Sequence, residues 1–177
     1  MNVRAPVPKE VFLQPGEYYF GTCAVRIWTL LGSCVSMTFW HPQRKMGGMC
    51  HYLLPQRSGS IGQNHDQRLD GRYADEALAL LFREMARQDT RPEEYHVKVF
   101  GGGNMFPNIS AIRQSHVGEN NVGFARRMIE ENRLQCLVMH TGGSGHRKVI
   151  FDVCSGHAWV KHDGAGGLLT EYQDGDG

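Results

Sequence analysis

Short segments rich in β-branched and aromatic residues recur along the chain, and only two stretches have the spacing of an amphipathic helix. Strands are predicted at residues 18–22, 29–40, 47–55, 96–100 and 136–140, followed by a hairpin of 148–153 with 158–162. Helices are predicted at 73–88, where Leu78, Leu81 and Met85 share one stripe, and at 121–132. Strands outnumber helices without regular alternation, which predicts an α/β domain built in layers.

The length of 177 residues fits one domain. Residues 163–177 are rich in glycine and acidic side chains, which predicts a loose tail after a domain spanning 1–162. The formal charge of +1 lacks the basic excess typical of nucleic-acid binders. No apolar run approaches the roughly 18 residues that a membrane span needs. We therefore expect neither nucleic-acid binding nor membrane insertion.

Five cysteines, an odd number, exclude a fully paired disulfide scaffold. The first ten residues lack the apolar core of a signal peptide, so we expect a soluble cytoplasmic protein with reduced thiols. The nine histidines and the cysteines show neither C-x-x-C nor H-E-x-x-H spacing. No metal is therefore expected.

Two glycine clusters follow predicted strands. The cluster at 101–103 places Phe106 where a dinucleotide loop needs its last glycine, and no G-K-[ST] sequence is present. The cluster at 142–145 is followed by His146, which departs from the G-x-S-x-G pattern. Both are interpreted as tight turns at strand ends, and no cofactor is expected.

Cys34 and His51 are the candidate catalytic pair. A cysteine in an apolar strand is usually inert, but Gly32 and Ser33 directly before it favour a bend that exposes the thiol and its N–H. If the two strands carrying Cys34 and His51 pair antiparallel, the two side chains can lie across from each other. An adjacent imidazole would lower the thiol pKa to about 3.5–7.5, as nucleophilic catalysis requires.

Several segments together resemble the chemoreceptor glutamine deamidase family (CheD) of bacterial chemotaxis. They are TLLGSCV from Thr29, GMCHYLLP from Gly48, RYADEA from Arg72, KVFGGGNMF from Lys98, VGENNV from Val117, TGG from Thr141 and VIFD from Val149. The resemblance runs in order over residues 16–160, within the expected domain.

The resemblance implies an enzyme that converts glutamines of methyl-accepting chemotaxis receptors to glutamate through a cysteine thioester, with receptor methyl-ester hydrolysis as a second activity in some members. Cys34 matches the family nucleophile and His51 its histidine base. The third catalytic residue is a threonine shortly before the cysteine, for which Thr29 is the candidate, with position 28, here Trp28, as the alternative spacing. His140 departs from the family, which often has an acidic residue there.

The resemblance also implies a three-layer α/β/β sandwich similar to the catalytic domain of cytotoxic necrotising factor toxins, and a partner, the chemotaxis phosphatase CheC. Two other interpretations stay open at this point. The domain could be a non-catalytic regulator that binds a phosphatase or receptor, or a redox sensor that uses Cys34 and Cys50.

Overall fold

The computed structural model describes residues 7–58, 68–108 and 116–174. In these ranges ten strands and two α-helices form a single domain. The strands are β1 (Lys9–Phe12), β2 (Tyr18–Thr22), β3 (Val25–Leu31), β4 (Val35–His41), β5 (Met46–Tyr52), β6 (His96–Gly101), β7 (Gln135–Thr141), β8 (Arg147–Asp152), β9 (Ala158–His162) and β10 (Leu169–Tyr172). The helices are α1 (Ala74–Arg87) and α2 (Val117–Glu131).

The strands divide into two five-stranded sheets. The first sheet has the order β1-β3-β8-β9-β10, and the second has the order β2-β5-β4-β6-β7. Each sheet contains one parallel pair, β1 with β3 and β6 with β7, while the remaining pairs are antiparallel. Two mixed sheets with two helices make an α/β fold, as the sequence predicts.

Two hydrophobic cores lie on opposite faces of the second sheet. One core joins Cys50 and Tyr52 of β5 to helix residues such as Leu81. The other core joins Met49 of β5 to residues of the first sheet such as Ile27. Since successive side chains on a strand point to opposite faces, His51 lies on the face of Met49, towards the first sheet.

The helices are close to their predicted positions. Helix α1 matches the prediction of 73–88, and Asp75 and Glu76 lie in its first turn, where acidic side chains favour the helix dipole. Helix α2 starts at Val117, four residues before its predicted start. Neither helix, nor any other in the described ranges, has the length and apolar character needed to cross a membrane.

The prediction of one strand over residues 29–40 is wrong. The segment contains the end of β3 and most of β4, which belong to different sheets. Gly32, Ser33 and Cys34 form the break between them, with bends at Gly32 and Ser33 as their composition predicts. A continuous β-rich pattern does not reveal that the chain crosses from one sheet to the other, because both halves have the composition of a strand.

The prediction of a loose tail is wrong for much of the segment 163–174. Residues of β10 pair with β9, with Leu169 opposite Lys161. Asp174 then lies buried beside Lys98 and His96 of β6. Asp174 is the counter-ion of the buried Lys98, and this pair holds the tail in place. The composition of the tail alone does not reveal a partner so distant in sequence.

The expectation of reduced thiols throughout is wrong for one pair. Cys23 and Cys154 form a disulfide, with a Cα–Cα distance of 4.2 Å across 131 residues of sequence. The pairing of β3 with β8 brings their connecting turns together, and the Val153 N–H donates to the Val25 carbonyl 3.0 Å away. Cys34, Cys50 and Cys136 are free.

Candidate active site

Thr29 and His51 are joined by a buried hydrogen bond between the two sheets. The Thr29 Oγ1 atom lies 2.8 Å from His51 Nδ1 and 2.7 Å from the carbonyl oxygen of Leu13. Both side chains are almost fully buried. Trp28, the alternative threonine position, is directed to the other face of β3, where it contacts Phe12. The structure therefore pairs the histidine with position 29.

The Thr29 contacts determine which ring nitrogen of His51 carries the proton. A hydroxyl has one proton to donate, and Thr29 uses it towards the Leu13 carbonyl. Thr29 Oγ1 must then accept from Nδ1–H of His51. The neutral ring is left with an unprotonated Nε2, the nitrogen that can act as a base. The sequence does not predict that the Leu13 carbonyl accepts from Thr29, because every residue type has a backbone carbonyl.

His51 is held neutral by burial. Burial lowers the pKa of His51 to about 4, with a smaller opposing effect from the Leu13 backbone. Its Nε2 atom is buried and makes no hydrogen bond within the described part of the chain. An unpartnered basic nitrogen is poised to accept a proton from a group that approaches it.

Cys34 lies at the same face as His51. It directly precedes β4, and the register of β4 with β5 puts Ser36 opposite His51. Cys34 is thus diagonal to His51 across the pair, and its side chain packs against the core between the sheets. In this structure no hydrogen bond joins the half-buried thiol to His51 Nε2.

The thiol is not a preformed thiolate, contrary to the sequence expectation. Burial raises the pKa of Cys34, and a contact with its own backbone N–H only partly opposes this. Removal from water disfavours the charged sulfur, and a neutral imidazole has no positive charge with which to stabilise it. The resting pair is therefore a neutral thiol beside a neutral imidazole, and the proton must move as the sulfur reacts.

The glycine turn at 101–103 supports the loop that carries Cys34. The Gly103 N–H donates to the Gly32 carbonyl at 2.9 Å, and the Gly102 N–H donates to the Cys34 carbonyl at 2.8 Å. Gly101 has a φ of +112°, and a Cβ there would collide with the Cys34 carbonyl oxygen. The cluster lies at the end of β6, as predicted, and the close backbone approach is the reason for glycine there.

Asn121 lies within the VGENNV segment of the family resemblance, but no sequence pattern assigned it a role. Its fully buried amide donates to the Ser33 carbonyl at 3.1 Å and to the Leu53 carbonyl at 2.7 Å. One side chain on α2 thus bridges the segments that carry Cys34 and His51. The available signal is the position of this polar residue beside Val122 and one turn before Ala125, both buried on α2.

Cys50 lies on the opposite face of the second sheet from Cys34. It is fully buried in the core against the helices, where its thiol contacts the Met37 carbonyl, and burial raises its pKa to about 12. The alternation of side chains along β5 separates it from the thiol of Cys34. This arrangement gives no support to a redox pair of Cys34 with Cys50.

His140 contacts a buried arginine. Arg147 is 2% exposed, and its Nε donates to His140 Nδ1 at 3.0 Å. Its Nη1 atom makes no hydrogen bond in the described residues. A Cβ added at Gly103 would lie 3.3 Å from that Nη1 and 3.3 Å from the Gly32 carbonyl oxygen, so the guanidinium lies near Gly32, two residues before Cys34.

Comparisons with known proteins identify the family of the chain. The profile of the family described as CheD chemotactic sensory transduction matches residues 53–162. The chain is 48% identical over 154 residues to the probable chemoreceptor glutamine deamidase CheD of Pseudomonas syringae pv. syringae, covering 86% of this chain and 84% of that protein.

A more distant relative extends the comparison. The probable chemoreceptor glutamine deamidase CheD 1 of Leptospira interrogans is 35% identical over 159 residues, covering 86% of this chain and 92% of that protein. Probable chemoreceptor glutamine deamidase CheD 3 of Dechloromonas aromatica is 46% identical over 151 residues, covering 85% and 86%. The chain belongs to the CheD family.

Proposed function

We propose that the chain is a protein-glutamine glutaminase that deamidates glutamine side chains of methyl-accepting chemotaxis receptors. Its curated relatives bear the name chemoreceptor glutamine deamidase. The observation that carries the proposal is the Thr29–His51 hydrogen bond, because it leaves an unpartnered basic nitrogen on the face shared with Cys34. Cys34 is the nucleophile, His51 the general base and acid, and Thr29 the group that orients the ring.

The first half of the reaction forms a thioester. The Cys34 sulfur attacks the side-chain carbonyl carbon while its proton passes to His51 Nε2, which produces a tetrahedral oxyanion. His51 then returns the proton to the departing nitrogen, and ammonia leaves as the carbon–nitrogen bond breaks. The buried ring makes this proton transfer favourable, since the imidazolium is the less stable form at this position.

The second half releases glutamate. His51 takes a proton from water as the water oxygen attacks the thioester carbonyl, and the protonated ring then returns a proton to the leaving sulfur. A receptor methyl ester follows the same route with methanol as the leaving group. One site therefore suffices for both the deamidase activity and the methyl-ester hydrolysis that the resemblance implies.

A receptor glutamine on a folded surface requires an open approach to the thiol. Leu54 and Phe106 are 43% and 45% exposed, and they follow Leu53 and Met105, which are next to the Cys34 loop. The loop at 56–72, of which 59–67 lie outside the described residues, and the turn at 101–103 form the proposed rims. CheC as a regulatory partner and a cytoplasmic location belong to the same proposal.

The three-layer α/β/β order is also proposed. It is supported by the two cores, one between the sheets and one between the second sheet and the helices. The similarity to the catalytic domain of cytotoxic necrotising factor toxins stays a prediction of the resemblance.

A non-catalytic regulator is the alternative, and no particular contact favours it. A binding module gains nothing from a buried imidazole whose Nε2 lacks a partner among the described residues, because burying such a nitrogen costs free energy.

The test is the mass change that accompanies conversion of glutamine to glutamate in receptor cytoplasmic fragments. Wild type and Cys136→Ala, which changes another free, half-buried thiol, should convert the same glutamines. Cys34→Ala and His51→Ala should leave them as amides. Undiminished conversion by Cys34→Ala would exclude the proposed chemistry, and binding without conversion by wild type would favour the regulator.

A further inference from the structure

The three backbone carbonyls of residues 32–34 each accept a hydrogen bond from a donor elsewhere in the fold. The Gly32 and Cys34 carbonyls accept from the Gly103 and Gly102 N–H groups. The Ser33 carbonyl accepts from the Asn121 side chain at 3.1 Å. Two of these anchors come from a backbone turn, and the third depends on one residue type at one position.

The Ser33 carbonyl and the Cys34 N–H belong to the same peptide unit. A peptide is planar, and in the trans form its C=O and N–H point in opposite directions. An anchor on the Ser33 oxygen therefore also directs the Cys34 N–H. The strand pairing of β4 begins at Val35, and outside the sheet ladders the Cys34 N–H donates to no backbone carbonyl in the described ranges.

The Asn121 amide is itself held firmly. Its second N–H donates to the Leu53 carbonyl at 2.7 Å, and its backbone carbonyl accepts from the Tyr52 hydroxyl at 2.8 Å. The amide is thus tied to the strand that carries His51 as well as to the loop that carries Cys34. A hydrogen bond to a carbonyl also polarises the N–H of the same peptide, which makes it a stronger donor.

We propose that Asn121 is a positioning residue that orients and polarises the Ser33–Cys34 peptide as the oxyanion donor, an inference that rests on the proposed acyl chemistry at Cys34. The developing negative charge on the substrate oxygen is then stabilised by the Cys34 N–H. Asn121 does not touch the substrate. It acts through the peptide plane, so its loss affects steps that pass through an oxyanion and spares those that do not.

A purely structural role fits the geometry less well. The Oδ1 atom of Asn121 is buried and has no hydrogen-bond partner in the described chain. Leaving a buried acceptor unsatisfied is destabilising, so an amide whose only role is to fill this space is unfavourable. Its two N–H groups are used on the Ser33 and Leu53 carbonyls, which flank the proposed catalytic pair.

The experiment compares two reactions of Cys34 in the full chain. Acylation by p-nitrophenyl acetate passes through a tetrahedral oxyanion, whereas alkylation by iodoacetamide displaces iodide at a saturated carbon. Asn121→Leu, similar in volume and unable to donate, should slow acylation at least about tenfold while alkylation stays near the wild-type rate. The rate of receptor deamidation should fall with acylation, mainly in kcat.

The matched control is Asn132→Leu, because Asn132 also donates its amide to a backbone carbonyl, that of Met128, but at the far end of α2. It should change neither reaction. If Asn121→Leu does not fold, Asn121→Ala provides the same comparison, because alanine also lacks a side-chain donor. Equal losses in acylation and alkylation, or no loss in either, would overturn the inference.

The two proposals fail separately. If wild type deamidates receptor fragments but Asn121→Leu acylates at the wild-type rate, only the role of Asn121 is wrong. If the acylation defect is present and wild type leaves receptor glutamines unchanged, the deamidase proposal fails while the oxyanion role stands.

Discussion

Thr29 is the residue whose removal most selectively disturbs the proposed base. Thr29→Val keeps the shape of the side chain and removes the oxygen that accepts from His51 Nδ1. Loss of one buried partner costs roughly 1–3 kcal/mol, and here the ring loses its orientation and tautomer. Converted to a rate, that loss predicts a fall in kcat for deamidation of about 10–100-fold with little change in KM. Thr29→Ser keeps the hydroxyl and should retain most activity; equal activity of the Val and Ser variants would contradict the role.

The contact between His140 and Arg147 leaves a buried guanidinium without a carboxylate among the described residues. Burial lowers the pKa of Arg147, which reflects how poorly the surroundings compensate its charge. His140→Glu should therefore raise the free energy of unfolding by about 1–2 kcal/mol, measured by urea titration. His140→Gln has a similar size and no charge, and should show no gain. A His140→Glu variant no more stable than the Gln variant would contradict this account.

At the scale of elements, the C-terminal strand is fastened by one buried charge pair. Asp174 contacts Lys98, whose Nζ also donates to the Gly156 carbonyl at 2.7 Å. Asp174→Asn leaves Lys98 buried without its counter-ion, so the free energy of unfolding should drop by about 3–5 kcal/mol. Glu171→Gln, on the exposed part of β10, is the control and should have little effect. Equal unfolding midpoints for the two variants would show that the pair does not hold the segment.

The helices and strands differ in how well the sequence predicts their positions and pairings. Helix α1 is predictable because its apolar stripe is local, with Leu78 and Leu81 at adjacent turns. The division of residues 29–40 between two sheets is not predictable, since it depends on which strands each half pairs with. Strands β1 and β10 are short and exposed, so their pairing with β3 and β9 is decided by partners distant in sequence.

At the scale of the whole molecule, burial of His51 makes the fold sensitive to acid. The folded state holds the His51 pKa at about 4, whereas the unfolded chain restores an ordinary value near 6.5. The unfolded state therefore binds more protons between these values, and stability falls as pH drops from about 6.5 to about 4. The loss attributable to His51 is about 3 kcal/mol. The lowered pKa values of His41 and His140 act in the same direction.

Urea titrations from about pH 7 to about pH 4 test this dependence. Wild type should lose stability steadily over the window, and His51→Leu should show a smaller loss over the same range. If the two proteins lose stability in parallel, the depressed pKa of His51 is not a source of the acid sensitivity.

The site could be predicted from sequence only where residue type carries the chemistry. Cys34 and His51 stand out as a thiol and an imidazole on neighbouring strands, and Thr29 follows from the family resemblance. The roles of the Leu13 carbonyl and the Asn121 amide could not be predicted, because they depend on where the fold places these groups. The disulfide of Cys23 with Cys154 is likewise fixed by the pairing of β3 with β8 across the whole chain.

The central claim is covalent catalysis by Cys34, and acid quenching during turnover tests it most directly. Intact-mass analysis of the enzyme mixed with a receptor fragment should detect an adduct equal to both masses less ammonia. Peptide mapping should locate it on Cys34, and hydroxylamine should release it as expected for a thioester. Deamidation at the wild-type rate by Cys34→Ala, with no adduct on the quenched wild-type enzyme, would contradict the account.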